Sequence, residues 1–443
     1  MNTEMPGPTV AVETLGCKVN QYETSYLLES LNEAGYTCVS FREQADVYIV
    51  HSCAVTAKAG FQTRQLLRRA RRVNPNALIV VAGCYAQLDA DRIAREELAT
   101  HILGNPAKFD LVSWLRRPGS FGMPCRATGG ESPSCPHFEF IPVKSMHTGR
   151  TRAVLKIQDG CNSFCSYCVV PLVRGRARSL PLGEALAQME RLVDAGYGEI
   201  VLTGIHLGQW GRDLPNGENL RGMLEAINAA RHPPRLRLSS LEPMEIDSGL
   251  LGLISSLPWI CPHLHVPLQS GDAEILDRMR RPYSPEQYAE LVLDTKRLLP
   301  DAAIGADVLV GFPGETEKQF ENTVKLIAEL PMSYLHVFPF SPRPGTPAAR
   351  YANQIPGREA KRRAQLLQEL GRRKKRDFRN TFIGKRLDVL IQTRAESDPW
   401  EGLSGNYINV AVHSEQDLRP GQVVNVAITG FRGEDLEGCI HKP

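Results

Sequence analysis

Residues 159–168, DGCNSFCSYC, contain three closely spaced cysteines, Cys161, Cys165 and Cys168. Three thiolates at this spacing can hold three irons of a cubane iron-sulfur cluster and leave the fourth iron without a protein ligand. An open iron can bind a substrate molecule directly, whereas a cluster held by four thiolates mainly transfers electrons. Zinc is the alternative, but a zinc site usually pairs Cys-x-x-Cys with a second such pair, and the sequence contains none. The motif therefore favours an iron-sulfur site with one open position.

The length and charge of the chain limit the remaining interpretations. With 443 residues it is too long for a single hydrophobic core, which predicts about three domains. The formal net charge is only +3, so a polyanionic partner must be bound by local basic patches. The N-terminus has no basic segment followed by an apolar one, and no apolar run approaches the roughly 18 residues that cross a bilayer. Together with an odd number of cysteines, this predicts no membrane association and a cytoplasmic location.

Residues 1–116 alternate short apolar runs with amphipathic segments, which predicts a small parallel α/β domain. Cys17, Cys53 and Cys84 each end one of these runs, and we expect them together at the carboxyl edge of one sheet, where open α/β folds bind ligands. A cysteine can also simply pack in a strand core. Three in the same structural position favour a shared metal centre. The three runs are TVAVETLGC, ADVYIVHSC and ALIVVAGC.

Residues 147–380 contain six apolar strands, each followed by a helical segment, which predicts an open, partial (β/α)6 barrel. The cysteine motif follows the first strand, where barrel enzymes place their chemistry. Residues 117–146 are rich in Gly, Pro and Ser and are interpreted as a linker. The predicted barrel strands are RAVLKIQ, EIVLTGI, RLRLSSL, HLHVPLQ, AIGADVLVGF and SYLHVFPF.

Other residues near the predicted strand ends are candidate cofactor contacts. Glycine allows a ligand to approach the backbone closely, and a carboxylate can accept hydrogen bonds from ribose hydroxyls. For each position taken alone, ordinary turn chemistry is the alternative. The candidates are Thr203, Gly204, Ser239, Glu242, Asp307 and Gly311.

Cys261, His263 and His265 share one face of a predicted strand, because side chains alternate along a strand with a period of two. Their chemistry suits a zinc ion. This face would point into a packed barrel or onto its helices, where histidine is more often a core or substrate-contacting residue. We therefore favour that interpretation over metal binding.

Residues 381–443 contain β-rich runs separated by Gly, Asn and Pro, which predicts a small antiparallel β-barrel. A helical segment just before it carries a basic run that usually marks a solvated helix face, but beside such a barrel it predicts contact with a phosphate backbone. Three further arginines follow the cysteine motif, and a basic cluster in the first domain comprises Arg64, Arg68, Arg69, Arg71 and Arg72. Basic groups in all three regions favour a folded nucleic acid as partner. The basic run is Arg372, Arg373, Lys374, Lys375 and Arg376, and the three arginines are Arg174, Arg176 and Arg178.

The cysteine motif, with Tyr167 before its third cysteine, resembles the signature of radical S-adenosylmethionine enzymes. The chain as a whole resembles the methylthiotransferase family of these enzymes, which combines a three-cysteine domain, a radical S-adenosylmethionine barrel and a C-terminal TRAM domain. TLGCKVNQYE around Cys17 and VAGCYAQ around Cys84 resemble the branch that modifies N6-threonylcarbamoyladenosine at position 37, next to the tRNA anticodon. HSCAVTAKA departs from the Asn-Thr-Cys-Thr usual at the second cysteine.

The resemblance implies two 4Fe-4S clusters and S-adenosyl-L-methionine as cofactors. Cys161, Cys165 and Cys168 would hold the cluster that cleaves S-adenosylmethionine reductively, and Tyr167 would contact the cofactor. Cys17, Cys53 and Cys84 would hold an auxiliary cluster that carries the sulfur, and the product would gain a methylthio group at carbon 2 of the adenine.

The implied partners are the tRNA anticodon stem-loop and a reduced flavodoxin- or ferredoxin-like electron donor; the sulfur donor is unassigned. The alternatives are methylthiolation of isopentenyladenosine in tRNA, methylthiolation of a ribosomal protein aspartate, and a noncatalytic RNA-binding metalloprotein.

Overall fold

The computed structural model describes residues 7–116, 151–394 and 399–440, so the predicted linker, 117–146, lies outside the described residues. The chain forms two compact units, each assembled from several segments. The first comprises Met1–Gly149, Asp159–Ala177 and Ser341–Ala349. The second comprises Arg150–Gln158, Arg178–Phe340 and Arg350–Pro443.

The first unit contains the predicted parallel α/β sheet. Its five strands run in the order β2-β1-β3-β4-β5, and all four pairings are parallel. The central strand β3 is buried along its whole length, as expected for a parallel strand covered on both faces. The elements are β1 (Thr9–Thr14), α1 (Lys18–Glu33), β2 (Thr37–Val39), β3 (Val47–Ser52), α2 (Ala57–Val73), β4 (Leu78–Gly83), α3 (Cys84–Leu88), α4 (Ala90–Arg95), β5 (His101–Leu103) and α5 (Leu111–Leu115), with α6 (Val170–Arg174) added from the segment Asp159–Ala177.

The second unit contains the six predicted barrel strands. They form two parallel three-stranded sheets, β10-β9-β6 and β11-β12-β13, and a parallel bridge joins Leu236 to Ile260. This confirms the predicted partial barrel. The six barrel strands are β6 (Arg152–Lys156), β9 (Glu199–Thr203), β10 (Leu236–Leu238), β11 (His263–His265), β12 (Ala303–Val310) and β13 (Tyr334–Pro339). Two further short strands, β7 (Gln158–Asp159) and β8 (Arg178–Ser179), pair in a separate two-stranded sheet.

Local sequence signals define several helices between these strands. Ser284 and Gln287 form a capping box at the start of one helix, and Thr316 and Gln319 form another, so both helices begin where their first backbone N–H groups gain side-chain partners. The helices are α7 (Leu182–Asp194), α8 (Leu220–Ala229), α9 (Ser248–Ser256), α10 (Ala273–Arg278), α11 (Pro285–Leu298), α12 (Glu317–Glu329) and α13 (Gly357–Asn380).

The C-terminal strands of the second unit close into the predicted small barrel, in the order β14-β15-β16-β18-β17. Four pairings are antiparallel, and the pairing of β16 with β18 is parallel. The strands are β14 (Arg386–Arg394), β15 (Trp400–Ser404), β16 (Asn409–His413), β17 (Val423–Arg432) and β18 (Asp435–Cys439). Within the described ranges, every helix is too short or too polar to span a membrane.

Candidate active site

The three N-terminal cysteines lie at the carboxyl edge of the first unit's sheet, as the sequence predicts. Cys53 directly follows β3 and Cys84 directly follows β4, and the ends of these two strands are paired. Cys17 follows β1, the other neighbour of β3, and is the residue before α1. Parallel strands thus bring together three thiols that are far apart in sequence.

Gly16 allows the loop of Cys17 to lie directly against Cys53. Its backbone has a φ of +106°, which favours glycine. A Cβ atom at this position would lie 2.6 Å from Cβ of Cys53 and 2.9 Å from its Sγ. The glycine therefore permits the close approach of two of the three cysteine-bearing loops.

The electrostatics of the three thiols suit a bound cation. The pKa of the Cys53 thiol is raised to about 12, mainly by burial; the backbone of Val55 and the charge of Arg174 partly offset this rise, and Cys17 and Cys84 add to it. Thiols that resist ionisation alone become good ligands when a cationic centre displaces their protons. Three cysteine thiols at one sheet edge are a donor set that can hold an iron-sulfur cluster.

The motif cysteines belong to the same compact unit. Cys161, Cys165 and Cys168 lie in the segment Asp159–Ala177. The backbone N–H of Cys161 donates to Gly175 O at 3.1 Å, and that of Cys168 donates to Cys165 O at 3.0 Å. Cys165 is buried, whereas Cys161 and Cys168 are partly exposed. Two of the three cysteine residues of the loop are thus partly accessible to solvent.

The tight path of this loop depends on the glycine before its first cysteine, Gly160. Its φ is +70°, and a Cβ atom there would lie 1.9 Å from the carbonyl oxygen of Arg176. Tyr167, a predicted cofactor contact, lies within the loop and is partly exposed. The two ends of the loop are therefore held together by backbone contact.

A buried polar network, which the sequence analysis missed, lies beside both sets of cysteines. We call it the Arg174 network, and its members are Asn20, Glu23, Asn105, Lys108, Asp159 and Arg174. The prediction that Arg174 is available to a polyanion is wrong, because its side chain is buried and paired with carboxylates. The positions of Asn20 and Glu23, three and six residues after Cys17 on α1, were a usable signal.

Several predicted cofactor contacts lie at strand ends of the second unit. Thr203 is buried at the end of β9, and Gly204 follows it, where a Cβ atom would lie 2.9 Å from the side chain of Gln158. Ser239 follows β10, and its buried hydroxyl has no hydrogen-bond partner among the described residues. A buried hydroxyl without a partner is costly, so Ser239 is suited to bind a polar ligand.

Two other predicted contacts make structural interactions. Glu242 forms an ion pair with Arg281. Gly311 has a φ of +72°, and a Cβ atom there would lie 2.8 Å from Cβ of Ala360 on helix α13. Glycine is therefore needed where the backbone passes close to this helix. Its backbone N–H also donates to Glu315 Oε2 at 2.7 Å.

Asp307 lies within β12 between two histidines. His265 Nε2 lies 3.0 Å and His336 Nδ1 3.2 Å from its Oδ1. Burial raises the pKa of Asp307, but the hydrogen bonds with the two histidines outweigh burial and hold that pKa well below its usual range. The ligand atoms of these three residues lie within 4.8 Å of one another. The hydroxyl oxygen of Tyr334 lies 3.1 Å from Nδ1 of His265, so Tyr334 belongs to the same hydrogen-bonded group.

The structure separates the three residues that the sequence grouped on one strand face. His263 and His265 both contact the Tyr334 hydroxyl, at 2.8 and 3.1 Å. Cys261 instead lies 3.8 Å from Glu199 Oε2. The histidines therefore hydrogen-bond within the barrel, as the favoured interpretation expected.

The basic run lies on α13, and its members differ in their contacts. Arg373 is exposed, whereas Lys374 Nζ donates to the carbonyl oxygens of Ala328 and Leu330 at 3.0 and 2.7 Å. Arg372 pairs with Glu369, Lys375 Nζ lies 4.0 Å from Glu434, and Arg376 lies over the ring of Phe431.

Known proteins match both the sheet and the barrel. Residues 9–104 match a family model described as uncharacterized protein family UPF0004, and residues 155–327 match the radical SAM superfamily. A threonylcarbamoyladenosine tRNA methylthiotransferase, MtaB, from Bacillus subtilis is 36% identical over 95% of this chain and 93% of its own length. The chain belongs to the radical S-adenosylmethionine methylthiotransferases. A tRNA-2-methylthio-N(6)-dimethylallyladenosine synthase from Moorella thermoacetica is 33% identical over 97% of this chain and 99% of its own.

A solved structure supports the fold of this methylthiotransferase. TsrM from Kitasatospora setae, a radical S-adenosylmethionine methyltransferase, aligns with a TM-score of 0.54 at 15% identity, over 89% of this chain and 79% of its own. Membership in the radical S-adenosylmethionine methylthiotransferases brings a 4Fe-4S cluster and S-adenosylmethionine as cofactors.

Proposed function

We propose that this methylthiotransferase adds a methylthio group to carbon 2 of N6-threonylcarbamoyladenosine beside the tRNA anticodon. Curated relatives named for this activity, from four bacteria, are 35–36% identical over 95–97% of the chain. The sequence motifs around Cys17 and Cys84 resemble those of the same branch. The observation that carries the mechanism is that two cysteine triads lie in one compact unit.

The motif cysteines, Cys161, Cys165 and Cys168, hold the cluster that acts on S-adenosylmethionine. When bound, this cluster supplies the electron that cleaves the sulfonium and so provides a radical able to take hydrogen from an inert carbon. Cys161, Cys165 and Cys168 would hold three irons of this cluster, and Cys161 and Cys168 are partly exposed. The hydroxyl of Ser239, which has no hydrogen-bond partner among the described residues, supports a cofactor contact in the second unit. The backbone N–H of Ser239 donates to Leu202 O at 3.0 Å, so Ser239 lies near Thr203 at the end of β9.

Cys17, Cys53 and Cys84 hold a second 4Fe-4S cluster, which carries the sulfur to be transferred. The donor set supports this, because three cysteine thiols converge at one sheet edge and burial raises the pKa of the Cys53 thiol, whose proton a cationic centre would displace. No side chain is required as a nucleophile, since an adenine C–H is too inert for acid-base chemistry. The task of the protein is therefore to hold both clusters and the base in fixed positions.

The anticodon stem-loop is bound by basic groups of the second unit and by the C-terminal barrel. Arg372, Arg373 and Arg376 are exposed on α13 and suited to phosphate contacts, whereas Lys374 is engaged with backbone carbonyls. A reduced flavodoxin- or ferredoxin-like protein supplies the electrons.

Nucleoside analysis of tRNA tests the substrate and the reaction together. In a deletion strain, we expect the methylthio form of threonylcarbamoyladenosine to disappear and threonylcarbamoyladenosine without the methylthio group to accumulate. The wild-type gene should reverse both changes. Loss of the methylthio form of isopentenyladenosine instead, or loss of methylthiolation only from ribosomal protein, would refute the proposed substrate.

Cysteine variants test the division of labour between the triads. We expect Cys17→Ala, Cys53→Ala and Cys84→Ala to abolish methylthiolation and retain formation of 5′-deoxyadenosine from S-adenosylmethionine. Cys161→Ala, Cys165→Ala and Cys168→Ala should abolish both. Equal loss of 5′-deoxyadenosine in all six variants would contradict two separate clusters.

A further inference from the structure

We propose that Arg174 is a positioning residue that fixes the loop of Cys161, Cys165 and Cys168 relative to the sheet edge bearing the other three cysteines. The inference rests on the proposed function, because it concerns the spacing of the two proposed clusters. Arg174 and its buried hydrogen-bond partners are the structural element that sets this spacing.

The guanidinium of Arg174 joins the two sides. It lies at the end of α6, directly after the motif loop, and Asp159 lies directly before that loop. Nη1 of Arg174 donates to Asp159 at 3.0 and 3.1 Å, which closes the base of the loop. The same atom donates to Glu23 Oε1 at 2.9 Å, and Nη2 donates to Asn20 Oδ1 at 2.6 Å. Glu23 and Asn20 belong to α1, the helix that Cys17 precedes.

Asn20 connects Arg174 to the first two cysteine-bearing loops. Its Nδ2 donates to Leu15 O at 2.8 Å and to Ser52 O at 3.1 Å, immediately before Cys53. Its Oδ1, which accepts from Arg174, lies 3.8 Å from Sγ of Cys17. One amide thus contacts the loops that follow β1 and β3 and the arginine of the motif segment.

Asn105 makes an equivalent connection to the third cysteine. Its Nδ2 lies 3.5 Å from Sγ of Cys84 and 2.7 Å from the carbonyl oxygen of Val173, the residue before Arg174. Lys108 Nζ then donates to Asn105 Oδ1 at 2.9 Å and to Glu23 Oε2 at 2.6 Å. The network therefore reaches all three N-terminal cysteine loops and both ends of the motif loop.

Burial and charge make this arrangement specific. The side chains of Glu23, Asp159, Lys108 and Arg174 are at most 2% exposed. Two carboxylates and two cations balance, and each charge has hydrogen-bond partners, as buried charges require. A fully connected buried network of this kind favours one geometry of the groups it joins. Val169 and Val173 also pack in the same core as Tyr85 and Cys84, which supports the same placement.

The functional consequence follows from the distance dependence of group transfer. A displacement of about 1 Å between reacting groups can lower a rate about 100-fold. Loosening the motif loop should therefore uncouple the two parts of the reaction: 5′-deoxyadenosine still forms, but less of it leads to methylthiolated product.

Arg174→Lys is the direct test, because it keeps the charge but replaces a planar fork with a single ammonium that cannot contact Glu23, Asp159 and Asn20 in the same geometry. The matched control is Arg237→Lys, which alters another fully buried arginine, one that pairs with Glu199 at 2.7 Å in the second unit. Asn105→Ala is a milder second variant that removes the Cys84–Val173 connection without removing a buried charge.

Each protein is reconstituted anaerobically and three quantities are measured: iron content, methylthiolated product per 5′-deoxyadenosine, and the magnetic interaction between the two reduced clusters by pulsed electron paramagnetic resonance. We expect Arg174→Lys to keep about eight iron atoms, to lower the product ratio at least tenfold and to change the magnetic interaction. Asn105→Ala should shift the ratio and the interaction in the same direction by less, and Arg237→Lys should stay within about twofold of wild type.

The inference is overturned if Arg174→Lys and Asn105→Ala both keep the wild-type ratio and interaction, or if Arg237→Lys changes them equally. Failure of the proposed function is a separate result, since it would show as wild-type protein with two clusters that does not methylthiolate the tRNA. In that case the magnetic measurement still decides the role of Arg174. Wild-type protein that holds a single cluster would overturn both proposals.

Discussion

Substituting Gly16 by alanine should damage the auxiliary cluster site while leaving cleavage of S-adenosylmethionine intact. Two costs arise. The first is backbone strain, because Gly16 has a φ of +106°, and a non-glycine residue in such a conformation costs about 1–3 kcal/mol. The second is steric, because the new Cβ would lie 2.6 Å from Cβ of Cys53.

The steric cost acts directly on a cluster ligand. Ordinary contact begins at 3.4 Å, so Cys53 must retreat by about 0.8 Å. Metal-ligand distances tolerate deviations of only about 0.2 Å. We therefore expect the iron content of the Gly16→Ala variant to fall from about eight to about four atoms per chain. The variant should also lose methylthiolation, while 5′-deoxyadenosine formation continues.

Gly35→Ala is the matched control, because Gly35 has a φ of +87° but an open space where the Cβ would be. It carries the strain without the clash, so thermal denaturation should show destabilisation in both variants. Iron and acid-labile sulfide analysis, with mass spectrometry of nucleosides and of 5′-deoxyadenosine, measures the rest. If Gly16→Ala retains as much iron and product as Gly35→Ala, the close approach of Gly16 to Cys53 has no role in the site.

Three further predictions concern stability and RNA binding. Glu199→Gln should lower the free energy of unfolding by about 3–5 kcal/mol in denaturant titrations, because it removes the carboxylate that pairs with the buried Arg235 and Arg237. Burial raises the pKa of Glu199, but Arg237, Arg235 and Arg152 together lower it more, so the folded-state pKa is depressed. The stabilisation is therefore present above the unfolded pKa of about 4.3 and is lost as pH falls through the folded value, and Glu199→Gln should reduce this pH dependence of the unfolding free energy. Arg373→Gln should reduce the steepness of the slope of log tRNA affinity against log salt concentration by about 0.7–0.9, because one phosphate contact is lost. Lys374→Gln should leave that slope unchanged and lower thermal stability, because the amine of Lys374 donates to backbone carbonyls.

The sequence predicts the elements and the cysteine positions because both depend on local patterns. A cysteine directly after a buried apolar run identifies the carboxyl edge of a parallel sheet, and Cys53 and Cys84 lie there. In the C-terminal barrel, the β-rich runs RLDVLIQTR, YINVAVHS and VVNVAITGF correspond to β14, β16 and β17. The short strands β15 and β18 are not predicted, because WEGLS and DLEGC lack runs of β-branched residues.

The Arg174 network could not be predicted in the same way, because its pairs join residues distant in sequence. Glu23 and Arg174 are 151 positions apart, and nothing local to Arg174 distinguishes a buried ion pair from a solvated basic group. The grouping of the motif loop with the first unit was missed for the same reason: the loop follows a barrel strand in sequence, but its contacts in the fold place it with the sheet.

This grouping affects how the enzyme can be recombined with its relatives. A chimera that exchanges residues 1–116 alone would separate Glu23 and Asn20 from the Arg174 to which they are hydrogen-bonded. A barrel expressed by itself would expose Val169 and Val173, which pack in the core of the first unit. The first unit is discontinuous in sequence. A chimera that preserves it must therefore carry all of its segments, residues 159–177 included, along with the sheet.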